Sequence, residues 1–297
     1  MEKEIPETDI IILGHIAKDI NVIDGISKTE TGGPVFYGGI AGAHMGIRIT
    51  VITRLRKKDF SLLKDFKKYG IPYFAYPAEG TSGLKNIYSS KNLEERICKP
   101  LDFAGLFKKE EIPIIKTKYF VLGPILAGEI DLDLLEFLSA KYKDNLCLDI
   151  QGFIRVKEDD TIIYCTLSQK DKEHILSKIN ILKLDRAEAL SLTGKDHIDD
   201  AAKELLDLGP KELLLTHEQG ITLYTKYESF FFPWQYKCVQ GRTGRGDTAF
   251  ISYVGARISQ SPKEALKFSV ALTSLKLESA GPFILPLQQV IDLMKTM

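Results

Sequence analysis

Hydrophobic positions along this chain gather in short continuous runs. "DIIILG" (9–14), "ITVITRL" (49–55), "YFVLGPI" (119–125), "LCLDI" (146–150), "INILKLD" (179–185) and "ELLLTH" (212–217) are apolar with little alternation. Strands covered on both faces have this pattern. Between them lie helix-like stretches: "GGIAGAHMGI" (38–47), "DLDLLEFLSAKY" (131–142), "RAEALSLTG" (186–194) and "HIDDAAKELLDLG" (197–209), the last stopped by Gly209-Pro210. Two more helices are expected in "GDTAFISYVGARISQ" and "SPKEALKFSVALTSLKLES", where Ser261-Pro262 supplies an N-cap and a first helical residue. The alternation predicts an α/β fold with a doubly wound, mostly parallel sheet flanked by helices. Two polar, turn-rich regions break the rhythm, "NVIDGISKTETGG" (21–33) and "TSGLKNIYSSKNLEERICKP" (81–100). They predict a small β-sheet lid formed by about residues 20–33 and 81–100. No linker or repeat divides the chain, so one domain over residues 1–297 is expected.

Composition narrows the function classes. The hydrophobic fraction of 44% and charged fraction of 27% fit an ordinary globular protein. Lys+Arg and Asp+Glu number 40 each, so the basic excess expected of a nucleic-acid-binding protein is missing. Cys98, Cys147, Cys165 and Cys238 are widely spaced, which argues against a zinc site or a disulfide framework, and Cys147 reads as core. The acidic N-terminus is not a secretory signal, and no apolar run approaches a membrane span. A cytoplasmic protein with neither a nucleic-acid nor a membrane partner is expected.

The most informative stretch is "GRTGRGDTAF" (241–250). Gly241, Gly244 and Gly246 make a turn just before a predicted helix. Ligands bind at the carboxyl ends of strands in open parallel sheets, where loops enter helices. Glycines together with a helix N-terminus gather N–H groups around an anion. Asp247 then has two readings. It caps the helix, or it takes a proton from a hydroxyl that attacks phosphorus. Spacing alone accommodates both. There is no G-x-x-x-x-G-K-[ST], and "GHIAKD" (14–19) lacks the G-x-G-x-x-G pattern, so P-loop and dinucleotide sites are disfavoured. His15 reads as a supporting hydrogen-bonder and His44 as packed. His217 is either packed or beside a nucleotide, and "FFFPW" (230–234) reads as core strand.

"TGRGDTAF" (243–250) resembles the T-G-A-G-D-x-F signature of the ribokinase-like (PfkB) carbohydrate kinases. Other pieces resemble that family in order: "GHIAKD" (14–19), "GGPVFYGGIAGAHMG" (32–46), "LKLDRAEALSLTG" (182–194) and "LLTHEQG" (214–220). The resemblance implies an enzyme, an ATP-dependent carbohydrate or polyol kinase requiring Mg²⁺. Asp247 would be the catalytic base, and the N–H groups of Gly244, Arg245 and Gly246 the anion hole. Asp19, Gly32, Gly33, Tyr37, Gln151 and Arg155 would meet the substrate. Asp185, Thr216, Gly220, Ser274 and Glu278 would line the nucleotide site, and Glu188 with Asp185 would hold Mg²⁺ through water. The lid would close over a small sugar or polyol, and protomers would pair through it as a homodimer.

Three departures matter. Tyr37 stands where the family usually has Asn, Arg245 where it has Ala, and Asp185 where it has the Asn of N-x-x-E. Tyr37, "DIQGFIR" (149–155) and "GRTGRGDT" (241–248) together resemble a divergent subgroup of uncertain substrate that includes inositol and sugar-acid kinases. A nucleoside kinase, and a non-catalytic nucleotide- or metabolite-binding regulator on the same fold, are the alternatives.

Overall fold

The computed structural model describes residues 7–89 and 92–297, so Ser90 and Lys91 of the expected lid lie outside the described residues. In chain order, β1 (Ile10–Leu13) leads through β2 (Ala17–Ile23) and β3 (Ile26–Gly32) into α1 (Pro34–His44). β4 (Ile49–Leu55), α2 (Lys64–Lys68) and β5 (Tyr73–Pro77) follow, then the antiparallel pair β6 (Gly83–Ser89) and β7 (Asn92–Asp102). Next come β8 (Tyr119–Leu122), α3 (Leu132–Tyr142), β9 (Leu146–Asp149) and α4 (Gln151–Ile154). The hairpin β10 (Arg155–Glu158) and β11 (Thr161–Tyr164) precedes α5 (Gln169–Leu176), β12 (Ile181–Asp185), α6 (Arg186–Thr193) and α7 (Ile198–Asp207). The chain ends with β13 (Glu212–Thr216), β14 (Gly220–Thr225), β15 (Ser229–Pro233), α8 (Arg245–Ala256), α9 (Pro262–Leu277) and α10 (Leu287–Met294).

The main sheet has the order β15-β14-β13-β12-β9-β8-β1-β4-β5. Pairings from β13 through β5 are parallel, and β14 and β15 add an antiparallel hairpin at one edge. Both faces are covered. Ile10 and Ile12 pack with α1, α8 and α9, while Ile11 and Leu13 pack with residues of α3, α5, α6 and α7. That two-sided burial is why the strands read as unbroken apolar runs. The second sheet, β3-β2-β6-β7, is built from the two regions expected to form the lid and is given that label below.

The sequence expectations differ from the structure at the sheet edges, at one helix start, and in the β10–β11 hairpin and helices α2, α5 and α10, which they left unread. β5 went unread because "YFAYP" is short, partly buried and ends in proline, as edge strands do. β15 is an edge strand in which Phe230 and Phe232 pack on the core and Phe231 is 48% exposed. α1 starts four residues before the expected 38. Gly33 turns the chain with φ 90°, and Pro34 supplies the first helical residue.

Candidate active site

The turn before α8 is built as its glycines suggest. Gly244 caps the helix with φ 80° and ψ 10°, a left-handed conformation. A Cβ added there would lie 2.2 Å from Cγ of Tyr37, so the turn sits flat on that ring. Asp247 is in the first turn of α8. Among the described residues, no backbone carbonyl accepts from Gly244 N–H or Gly246 N–H. The Arg245 N–H donates to the Arg242 carbonyl at 3.1 Å. Of the three N–H groups expected at an anion hole, the Arg245 N–H is thus the one that closes the turn.

A cavity of about 130 Å³ opens in front of this turn. Asp19, Gly33, Tyr37, Gln151, Arg155, Asp185, Glu188, Thr216 and residues 244–247 all line it. Gly32 stands just behind, and a Cβ there would lie 2.2 Å from Oδ2 of Asp19. Gly220, Ser274 and Glu278, expected at the nucleotide, do not line this cavity. Gly220 opens the β14 edge of a hairpin against the Phe232 carbonyl. The Ser274 hydroxyl accepts from Gln235 N–H at 2.8 Å, and the Glu278 carboxylate from Lys237 N–H at 2.7 Å. Both side chains hold the segment that follows β15.

Tyr37 is 2% exposed. Burial pushes its phenol well above the ordinary range, and the charges of Asp19, Glu30 and Asp247 add to that. The hydroxyl therefore stays protonated among three carboxylates. The Arg245 guanidinium lies 5.8 Å from the centre of the Trp234 ring, toward β15.

Beneath the turn is a charge cluster whose central lysine sequence reasoning missed. Lys183, buried on β12, donates to Asp149 Oδ2 at 2.8 Å and lies 3.9 Å from Glu188 Oε2. Its Nζ would be 3.3 Å from a Cβ on Gly246. Burial alone would lower the lysine, but Asp149, Glu188 and Asp185 outweigh it and raise it. Burial raises the Glu188 carboxyl, and neighbouring Asp185 raises it further. Three carboxyl groups share one ammonium, and a further cation would favour the ionised form of the raised Glu188.

The same residues form a reciprocal cap on α6. Asp185 Oδ1 accepts from Glu188 N–H at 2.9 Å, and Glu188 Oε2 accepts from Asp185 N–H at 2.7 Å. Among the described residues no group of three or more His, Cys, Asp or Glu side chains converges as direct metal ligands. One oxygen of each carboxylate lies outside the cap. That donor set fits Mg²⁺ held through water rather than in a closed cage.

The lid supplies the far wall. Asp19 Oδ1 accepts from Leu84 N–H at 2.8 Å, joining β2 to β6. On the same face, Asn86 donates to Asn21 at 3.1 Å and Asn21 to Glu30 at 2.7 Å. Asn86, Tyr164 and Arg242 also line the cavity. The Tyr88 hydroxyl meets the Thr243 hydroxyl at 3.4 Å, so the lid touches the turn. His15 is a supporting residue at the lid's root, bonded to Ser82 at 2.7 Å. His44 packs on Tyr69, and His217 stacks on Phe231.

A solved pyrophosphate-dependent kinase of the ribokinase family, complexed with a pyrophosphate analogue and myo-inositol, superposes with a TM-score of 0.86. It is 27% identical, and the match covers 97% of this chain and all of that one. The chain has the ribokinase-family fold. Arabidopsis thaliana ribokinase, solved with ribose and ATP, shares the fold at a TM-score of 0.76 and 18% identity, over 98% of this chain and 99% of that one. Among curated proteins, cytidine kinase of Thermococcus kodakarensis is 25% identical over 232 residues, 73% of this chain and 76% of that protein. No protein-family model matches the chain. The relatives in sequence and in structure are thus ribokinase-family kinases, with different acceptors and donors. Among the described residues no helix is long and apolar enough to cross a membrane.

Proposed function

We propose that this protein transfers a phosphoryl group from a phosphoanhydride donor to a hydroxyl of a small cyclic polyol or sugar. The observation that carries this is the placement of Asp247 and the 244–246 turn in one cavity with the hydroxyl-binding groups Asp19, Asn86, Gln151 and Arg155. A pure binding site needs no carboxylate beside an anion-binding helix end, since that charge opposes the anion. A phosphotransferase needs one.

The acceptor hydroxyl would give its proton to Asp247. Its oxygen attacks the terminal phosphorus as the bond to the leaving phosphate oxygen breaks. The Gly244 and Gly246 N–H groups face the charge that develops. Lys183, Arg242 and Arg245 would neutralise the donor phosphates. Mg²⁺, held through water by Asp185 and Glu188, would shield them further. The lid would exclude water, which competes as an acceptor.

An inositol-type acceptor is favoured by the myo-inositol complex of the full-length neighbour. ATP and pyrophosphate share the donor chemistry. Pyrophosphate gains support from that neighbour, and from the use of Ser274 and Glu278 in holding 235–237 instead of lining a base pocket. Cytidine kinase keeps nucleosides as the second acceptor class.

The test is turnover with Mg²⁺ for each donor across inositols, sugars, sugar acids and nucleosides, with Asp247→Asn in parallel. Turnover with one acceptor class, falling at least about a hundredfold in the variant, is expected. A variant as active as the native protein would remove Asp247 from the chemistry.

A further inference from the structure

Behind the turn lies a lysine that plays no part in the steps above. Lys276, on α9, is 1% exposed and does not line the cavity. Its ammonium donates to the carbonyls of Gly241 and Thr243. It also stands 5.3 Å from the centre of the Tyr37 ring, the surface on which Gly244 lies. The loop is pinned to the same helix end from its other side, because Gln240 N–H and Gly241 N–H donate to the Leu277 carbonyl at 2.8 and 3.1 Å.

Burying an ammonium costs several kcal/mol unless the site offsets it. Here two carbonyls, an aromatic face and nearby Asp247 do so. A trans peptide points its C=O and N–H in opposite directions. Drawing the Thr243 carbonyl onto Lys276 aims the Gly244 N–H the other way, and the Gly241 carbonyl does the same for the Arg242 N–H. Arg242, Thr243 and Gly244 all line the cavity.

We propose that Lys276 is a positioning residue for phosphoryl transfer, an internal cation that holds two loop carbonyls inward so that the opposite N–H groups face the donor phosphate. This rests on the phosphotransferase reading. A plain cross-link between helix and loop predicts less. The ammonium's charge is also part of the device, because a bound anion stabilises it. Burial pushes Lys276 down to about 7, with Arg245 of α8 adding to the effect and Asp247 of α8 and Glu30 of β3 opposing it. Tyr37 of α1 faces it as a neutral phenol. Anion affinity should therefore fall as pH rises above about 7.

The experiment has two arms. Sulfate stays a dianion across this range and serves as the anion probe. Calorimetry on the native protein should show sulfate affinity falling by up to about tenfold per pH unit above neutrality, and Lys276→Met should flatten that slope. In the turnover assay Lys276→Met should lose about a hundredfold with the acceptor KM within about twofold. Added ammonium or potassium ion should restore part of the loss by settling between the emptied carbonyls, and choline should not. A native sulfate profile that is flat with pH overturns the proposal without any variant, even if Lys276→Met fails to fold. A folded Lys276→Met with full turnover, or with a loss that no small cation relieves, overturns it too. If Lys276→Met flattens the native sulfate slope but no acceptor is phosphorylated, the phosphotransferase reading fails and the aiming of the turn stands.

Discussion

Gly244 ties together three residues that look unrelated in sequence. Its left-handed backbone costs an L side chain about 1–2 kcal/mol. The ring of Tyr37 also fills the space a Cβ would need, at 2.2 Å, and Lys276 covers that ring. Tyr37, where the resemblance implies an asparagine, thus has a local structural role in this chain. It backs the turn with its ring and leaves its hydroxyl among Asp19, Glu30 and Asp247. Gly244→Ala should lose about 2–4 kcal/mol of stability in denaturant melts, from backbone strain plus overpacking. Adding Tyr37→Ala should recover the overpacking part, so the double variant should be more stable than the sum of the singles. Additivity within about 0.5 kcal/mol would mean that the ring is not what Gly244 avoids.

At the scale of elements, the root of the lid is a buried polar knot. Glu129 accepts from the N–H groups of Ile125, Leu126 and His15 at 2.7, 3.0 and 3.2 Å, and its Oε2 lies 3.3 Å from His15 Nδ1. It joins the end of β1, the loop after β8 and, through His15 and Ser82, the start of β6. Burial pushes the Glu129 carboxyl up to about 8 and the His15 imidazole down to about 3. The pair is therefore neutral through mid-range pH. An acid whose folded pKa is raised binds more protons folded than unfolded between its two pKa values. The stability from protonated Glu129 is thus full below about 4.5 and is lost as pH rises through about 8. Depressed His15 works in the opposite sense and only below its ordinary 6.5. Between pH 6.5 and 8, native stability should fall relative to Glu129→Gln by at most about 1.4 kcal/mol per pH unit. Parallel curves for the two proteins would show that Glu129 does not titrate there.

Of this knot only the supporting role of His15 was legible in sequence; its partners Ser82 and Glu129 were not, since they lie 67 and 114 positions away. The alternating strands and helices were legible because burial on both sheet faces leaves unbroken apolar runs. The turn before α8 was legible because its glycines and Asp247 are neighbours in the chain. Lys183 and Lys276 were not. Each is one charge inside an apolar element, and their partners Asp149, Gly241 and Thr243 come from other elements. Ser274 and Glu278 were expected at a nucleotide for a related reason. Their place on α9 was readable, but the segment they hold was not.

At the scale of the whole molecule, the lid has two unlike faces. Residues paired directly across a sheet share a face. Asp19, Asn21, Asn86 and Tyr88 point to the cavity side. The register puts Val22, Ile87 and Ile97 together on the other side, with Ile20 on the same face in the next row, beside Lys85. Ile97 is 60% exposed, and Ile20 and Ile87 are partly exposed. A sheet with one face in water normally turns polar residues outward, so these exposed isoleucines, a patch beside Thr29, Lys85 and Lys99 on the same face, call for a cover. A second copy of the lid, as the family resemblance implies, offers a matching one, and a paired lid would be stiffer and close over the acceptor at a smaller entropic cost. The native protein should therefore sediment as a dimer. Ile97→Glu should yield monomers that keep their fold and their donor affinity, while the acceptor KM rises severalfold. A native protein that sediments as a monomer at every concentration would sink the pairing. A monomeric Ile97→Glu with an unchanged acceptor KM would leave the pairing but detach it from catalysis.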